Sequence, residues 1–175
     1  MKIHADARIP FPRALVFATY RDRLADLVPY LANVRSIDVK SRRDDGPRTH
    51  LLNVWHGGGE IPAAARAFLS ESMLSWNDHA VWNESDWSCA WRIETHAFTE
   101  AVRCEGRNVF VDAGDATVLQ IRGELTIDGA KITGVPRLLA GTVSRTVEDV
   151  LAKKIPPNLV QTADGVRRFL EAGKG

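Results

Sequence analysis

The chain has 175 residues, 45% hydrophobic and 26% charged, with a net charge of +1. That length suits one domain, residues 1–175, with a substantial core. The near-neutral balance argues against broad electrostatic attraction to nucleic acid or an anionic membrane, and no apolar run approaches the roughly 20 residues of a transmembrane helix.

Met1 to Ile9 lacks a secretory apolar region, which reads as a cytoplasmic protein. Cys89 and Cys104 are accordingly expected as reduced thiols. Ile3, Ala5, Ala7 and Ile9 alternate with Lys2, His4, Asp6 and Arg8, the period of a strand with one buried side. Pro10 and Pro12 end it, and Pro12 can open a helix. Arg13 to Tyr20 and Arg21 to Leu31 read as two short helices, with Pro29 bending or ending the second. Ile37 and Val39 mark a second strand, Asp44-Asp45-Gly46-Pro47 a turn, and Thr49 to His56 a third strand. A turn there sets Val39 opposite His50 and Ile37 opposite Leu52.

Gly57-Gly58-Gly59 breaks the sheet, and Pro62 to Leu69 reads as a short helix. Trp76 to Glu84 and Trp87 to Thr95 form a hairpin turning at Ser85-Asp86. Its register puts Trp82 opposite Cys89, Ala80 opposite Trp91 and Asp78 opposite Ile93, all on one face. A second hairpin runs from Val102 to Ile127. Cys104, Gly106, Asn108 and Phe110 share its inner face with Thr117, Leu119, Ile121, Gly123 and Leu125. A turn at Asp112-Ala113-Gly114-Asp115 pairs Glu105 with Arg122, Arg103 with Glu124, Phe110 with Thr117, Gly106 with Ile121 and Cys104 with Gly123. Trp91 is expected near Cys104 or Gly106, a large ring beside a glycine. The two inward glycines leave volume that either a helix or a ligand can fill.

After Gly134, Pro136 starts a long helix with Leu139, Val143, Val147, Val150 and Leu151 on one stripe. Pro156-Pro157 interrupts it. Leu159, Ala163, Val166, Phe169 and Leu170 make a second stripe ending at Gly173. The sum is an α+β chain: seven antiparallel strands, two short helices after the first, and a long C-terminal helix covering the sheet's apolar face.

This element order, the Ile9-Pro10-Phe11-Pro12 entry and the Gly134-Val135-Pro136 opening of the last helix resemble the START-like, or SRPBCC, superfamily of helix-grip proteins. It includes lipid-transfer START domains and polyketide cyclase/aromatase-like proteins. The resemblance implies a curved sheet wrapped around the C-terminal helix, with an apolar cavity between them. It implies non-covalent binding of a lipid or other hydrophobic small molecule, without a cofactor. The residues expected to line that cavity are Asp78, Trp82, Trp91, Cys104, Gly106, Asn108, Phe110, Leu119, Ile121, Val143 and Val147.

Other motifs are weaker. His56-Gly57-Gly58-Gly59 matches an esterase oxyanion loop, but the chain has no Gly-x-Ser-x-Gly elbow. A flexible loop at the pocket mouth is the reading kept. The five histidines show no metal-ligand spacing, so no metal site is expected. Four of the five tryptophans fall within sixteen residues and pack core, line a cavity, or do both. Asp78 and Asn108, polar on the inner face, need buried partners, a cavity or a shift of register. Two alternatives stand beside ligand binding. One is a cyclase/aromatase or dehydratase-type enzyme using Asp78, Asn108 or a histidine for proton transfer. The other is an interaction module dimerising through a sheet edge or the Pro156-Pro157 helices.

Overall fold

The computed structural model describes residues 1–58, 75–96, 99–131, 138, 141 and 159–173. The expected helix over Pro62 to Leu69, the stripe of Leu139, Val143, Val147, Val150 and Leu151, and the Pro156-Pro157 break lie outside them. So does the loop from Gly59 onward.

Seven strands form one antiparallel sheet: β1 (Lys2–Ile9), β2 (Val34–Asp45), β3 (Arg48–Gly57), β4 (Ser75–Asn83), β5 (Ser88–Thr95), β6 (Val102–Asp112) and β7 (Thr117–Ile127). Their order is β1-β7-β6-β5-β4-β3-β2, a meander whose far end is closed by the first strand. A helix, α1 (Arg13–Asp22), follows β1, and a second, α2, covers residues 159–171. This is the helix-grip α+β arrangement.

The segment between α1 and β2 differs from the expectation. Residues Leu24–Tyr30 form a tighter 3-10 helix instead of a second α-helix. Pro29 has no N–H and its ring would strike the carbonyl four residues back, so the wider α turn is disfavoured there. Gly165 of α2 lies close against this segment; a Cβ on it would meet Leu31 Cδ2 at 2.8 Å. The apolar stripe of α2 is as expected from sequence, with Ala163, Val166, Phe169 and Leu170 all buried.

The hairpin of β4 and β5 has the expected register: Trp82 faces Cys89, Ala80 faces Trp91 and Asp78 faces Ile93. The other two hairpins are shifted. In β2–β3, Ile37 pairs with Trp55 and Val39 with Asn53, because β2 runs through to Asp45 and the turn falls at Gly46-Pro47, while an irregularity between Val39 and Ser41 takes back one residue of the resulting shift. An irregularity of that kind adds an unpaired residue and cannot be read from alternation.

In β6–β7 every expected pairing moves by two. Phe110 faces Leu119, Asn108 faces Ile121, Gly106 faces Gly123, Cys104 faces Leu125 and Glu105 faces Glu124. The turn centres on Gly114-Asp115, with Gly114 at φ +78 and Ala113 N–H donating to Ala116 O at 2.9 Å. Glycine in the first central position suits a two-residue hairpin, and a turn centred on Ala113 would not. A shift of two leaves every side chain on its expected face. It removes the cross-strand ion pairs, however, and sets like charges opposite. These find other partners: Arg103 for Glu105 at 2.9 Å, Lys2 for Glu124 at 3.0 Å, Asp6 for Arg122 and Asp86 for Arg107 at 2.5 Å. Such exposed pairs each contribute little.

The same register explains the two glycines. Gly106 and Gly123 lie side by side, and the Trp91 indole lies over both. A Cβ on Gly123 would meet Trp91 Cη2 at 2.8 Å, and one on Gly106 would run into Trp91 Cζ2. Trp91 therefore fills the volume the glycines leave.

Candidate functional site

A cavity of about 250 Å³ opens between β3, β4 and β5 on one side and the start of α2 on the other. Its wall is mostly apolar. Trp55, Trp76, Ala80, Trp82, Trp91 and Ile93 come from the sheet, Leu24 and Leu31 from the 3-10 segment, and Leu159 from α2. Strand alternation places these residues: β3 and β4 present every second side chain to the interior. Trp55 stacks on Trp76 with ring centroids 5.6 Å apart and planes 16° off parallel.

Into this wall the sequence sets a few polar groups. Asn53 sits directly across from Asp78 in the β3–β4 ladder. Its Nδ2 donates to Asp78 Oδ2 at 3.2 Å, and its Oδ1 has no partner among the described residues. Asp78 is half-buried and lines the cavity. Burial pushes its carboxyl above the usual range, against the pull of the Asn53 amide and the Trp55 indole. The Trp55 N–H faces that carboxyl without completing a hydrogen bond, and the Trp82 N–H also lacks a partner among the described residues. Trp91 Nε1 donates to Asn108 Oδ1 at 2.9 Å.

Two further acids face Asp78. Burial, then the neighbouring Asp78 carboxylate, pushes the Cys89 thiol well up. Tyr20 is raised by burial first, then by Cys89 and Asp78, and a hydrogen bond with Thr162 of α2 opposes the shift. In all three the low-dielectric surroundings disfavour the ionised form.

A stability consequence follows. An ionised Asp78 is disfavoured in the fold but not in the unfolded chain. Its contribution is therefore fully present below the ordinary carboxylate pKa and is lost as pH rises through the raised folded value. Asp78→Asn, which keeps the shape and the acceptor for Asn53, is expected to gain stability relative to wild type as pH rises from about 4 to about 7. Urea midpoints of both proteins across that range test it; a gap that stays constant with pH contradicts it.

Of the residues expected on the cavity wall, Asp78, Trp82, Trp91 and Asn108 are brought together there. Phe110 is instead buried against Phe17, Tyr20 and Trp82, at 5.2, 6.0 and 5.8 Å between ring centroids. Leu119 and Ile121 are fully buried on β7, and Cys104 is buried on β6, its thiol raised to about 11 by burial. Gly106 lies under Trp91. Val143 and Val147 fall outside the described residues. Sequence reasoning missed Asn53, Trp55, Tyr20 and Thr162. The signal for the first two was available: Leu51, Asn53 and Trp55 alternate on the inner face of β3, and Asn53 is a polar residue in that apolar row.

His56 is held away from the cavity, with Nδ1 at 3.0 Å from Ser75 Oγ and Nε2 at 3.4 Å from Asp38. Among the described residues no group of three or more His, Cys, Asp or Glu side chains could hold a metal ion, and no helix is long and apolar enough to cross a membrane.

No family model matches the chain. No curated protein matches it either. Solved structures do. The ZhuI aromatase/cyclase of a Streptomyces species is similar at 12% identity with a TM-score of 0.64, over 100% of this chain and 99% of that one. Norcoclaurine synthase of Thalictrum flavum, in complex with a transition-state analogue, is 13% identical with a TM-score of 0.64, over 100% and 96%. A START superfamily protein of Mycobacterium smegmatis is 10% identical with a TM-score of 0.53, over 98% and 97%. With the seven-stranded antiparallel sheet and the buried stripe of α2, these likenesses show that the chain has the helix-grip fold.

Proposed function

We propose that the chain binds a small hydrophobic, ring-containing molecule non-covalently in the cavity between β3–β5 and α2. The observation that carries this reading is the 250 Å³ space walled by four tryptophans and a single carboxyl-amide pair. Ligand sites are typically apolar with a few orienting polar groups. An apolar cavity of about 150 Å³ is enough to hold benzene, so the volume here favours one or two fused rings over a lipid with two long acyl chains.

Ala80 offers the test, because it is buried, small and on the cavity wall. Ala80→Phe fills the space from within. Wild type is expected to bind the fluorescent hydrophobe N-phenylnaphthylamine, and the variant to bind it at least about tenfold more weakly with its fold intact. Equal binding by the two would place the ligand elsewhere and sink the proposal.

One observation favours a second reading. Burial shifts the Asp78 carboxyl upward, toward the protonated form suited to general-acid work, and two of the similar structures are named as an aromatase/cyclase and a synthase. A substrate that turns over in wild type and is bound but not converted by Asp78→Asn would favour that enzyme reading.

A further inference from the structure

Beside Asp78 the wall carries an acceptor without a partner among the described residues, and an indole N–H that faces the carboxyl without completing a hydrogen bond. Asn53 is 1% exposed and its Oδ1 has no hydrogen-bond partner among the described residues; Trp55 is 9% exposed and its Nε1 has none there either. Buried polar groups are nearly always paired, and an unpaired one carries the full penalty of leaving water. Both groups line the cavity, and both lie beside the carboxyl that Asn53 Nδ2 already holds at 3.2 Å.

We infer that Asn53, Trp55 and Asp78 form a seat for a hydroxyl group on a flat aromatic ligand, the hydroxyl donating to Asn53 Oδ1 and accepting from Trp55 Nε1. The inference rests on the reading of the cavity as a binding site, and names the chemistry that site selects. A ketone or ether accepts from Trp55 but leaves Asn53 Oδ1 unpaired. An ammonium group donates to Asn53 but presents no lone pair to the indole. A carboxylate sets its own lone pairs against Asn53 Oδ1. A hydroxyl has both a proton to give and lone pairs to offer. The ring it is attached to then runs along β4 from Asp78 to Ala80, where the wall is smallest, with Trp91 across from Ala80 in the ladder.

The test is a set of tryptophan-fluorescence titrations with naphthol, its methyl ether and naphthalene. Wild type is expected to bind naphthol about tenfold more tightly than the methyl ether, which keeps the oxygen but loses the proton. Asn53→Leu removes the acceptor at similar volume and is expected to shrink that preference to within about twofold. Trp55→Phe keeps a ring to stack on Trp76, removes the donor and is expected to shrink naphthol's advantage over naphthalene; it carries the test if Asn53→Leu does not fold. Equal affinity of wild type for naphthol and the methyl ether, with naphthalene also bound, overturns the seat and leaves the cavity reading standing. Failure of folded wild type to bind any of the three overturns the cavity reading itself.

Discussion

Phe17→Ala is expected to lower the unfolding free energy by about 3–5 kcal/mol, the range for deleting a fully buried aromatic ring. Phe17 is 2% exposed and makes edge contacts with Trp82, Trp87 and Phe110 at 5.2, 5.3 and 5.2 Å between centroids. It is the point at which α1 is fixed to β4, the β4–β5 turn and β6, and the Arg21 guanidinium lies 5.6 Å from its ring centre. Edge-to-face pairs add to the area they bury, so losing three at once leaves a hole that neighbouring rings cannot close. Phe17→Leu, which keeps most of the volume, is expected to lose much less, about 1 kcal/mol. Urea denaturation of the two variants is the measurement. An alanine variant less than about 1 kcal/mol below wild type would mean that α1 is not anchored by this ring.

The second large effect is expected at Gly106. An added Cβ there meets the Arg122 carbonyl oxygen, the Trp91 ring and, at 2.8 Å, the Gly123 Cα. Two of these three obstacles are backbone of β7, which no rotamer change can move aside. Gly106→Ala is therefore expected to destabilise by about 2–3 kcal/mol, at the upper part of the range for overpacking. Combining it with Trp91→Leu separates the causes. The ring is removed but the strand remains, so the smaller residue should relieve only part of the clash. If Trp91→Leu costs the glycine protein and the alanine protein equally, the two sites do not interact and the ring-on-glycine packing is refuted.

Both effects bear on what was legible in the sequence. Alternation alone assigned the inner faces of β4, β5, β6 and β7, since strand side chains repeat every two residues and an error of two in register does not change a face. For the same reason alternation was blind to that error. The β6–β7 turn offered two adjacent centres, and the glycine at φ +78 belongs to the one starting at Gly114. The charge pairs that supported the other were plausible but weak, and exposed ion pairs are too small to set a register.

The site was half legible. Asp78 and Asn108 stood out as polar residues on an apolar face, and each has a partner, Asn53 and Trp91. The short β4–β5 turn set Trp91 opposite Ala80, but alternation left it beside either Cys104 or Gly106, and the β5–β6 ladder pairs it with Gly106. Asn53 and Trp55 were not connected to Asp78 because β3 and β4 are joined through residues 58–74, too long a connection for turn chemistry to align them. Tyr20 and Thr162 come from α1 and α2, and no local pattern says which turn of a helix meets a distant strand.

The central claim is that the space beneath α2 is a binding site, and the indole N–H resonances test it most directly. Titrating the isotope-labelled protein with N-phenylnaphthylamine is expected to move the signals of Trp55, Trp76, Trp82 and Trp91, which line the cavity, and to leave Trp87, which does not. Ala80→Phe is expected to abolish those shifts. Shifts confined to Trp87, or the same four shifts undiminished in Ala80→Phe, would contradict it.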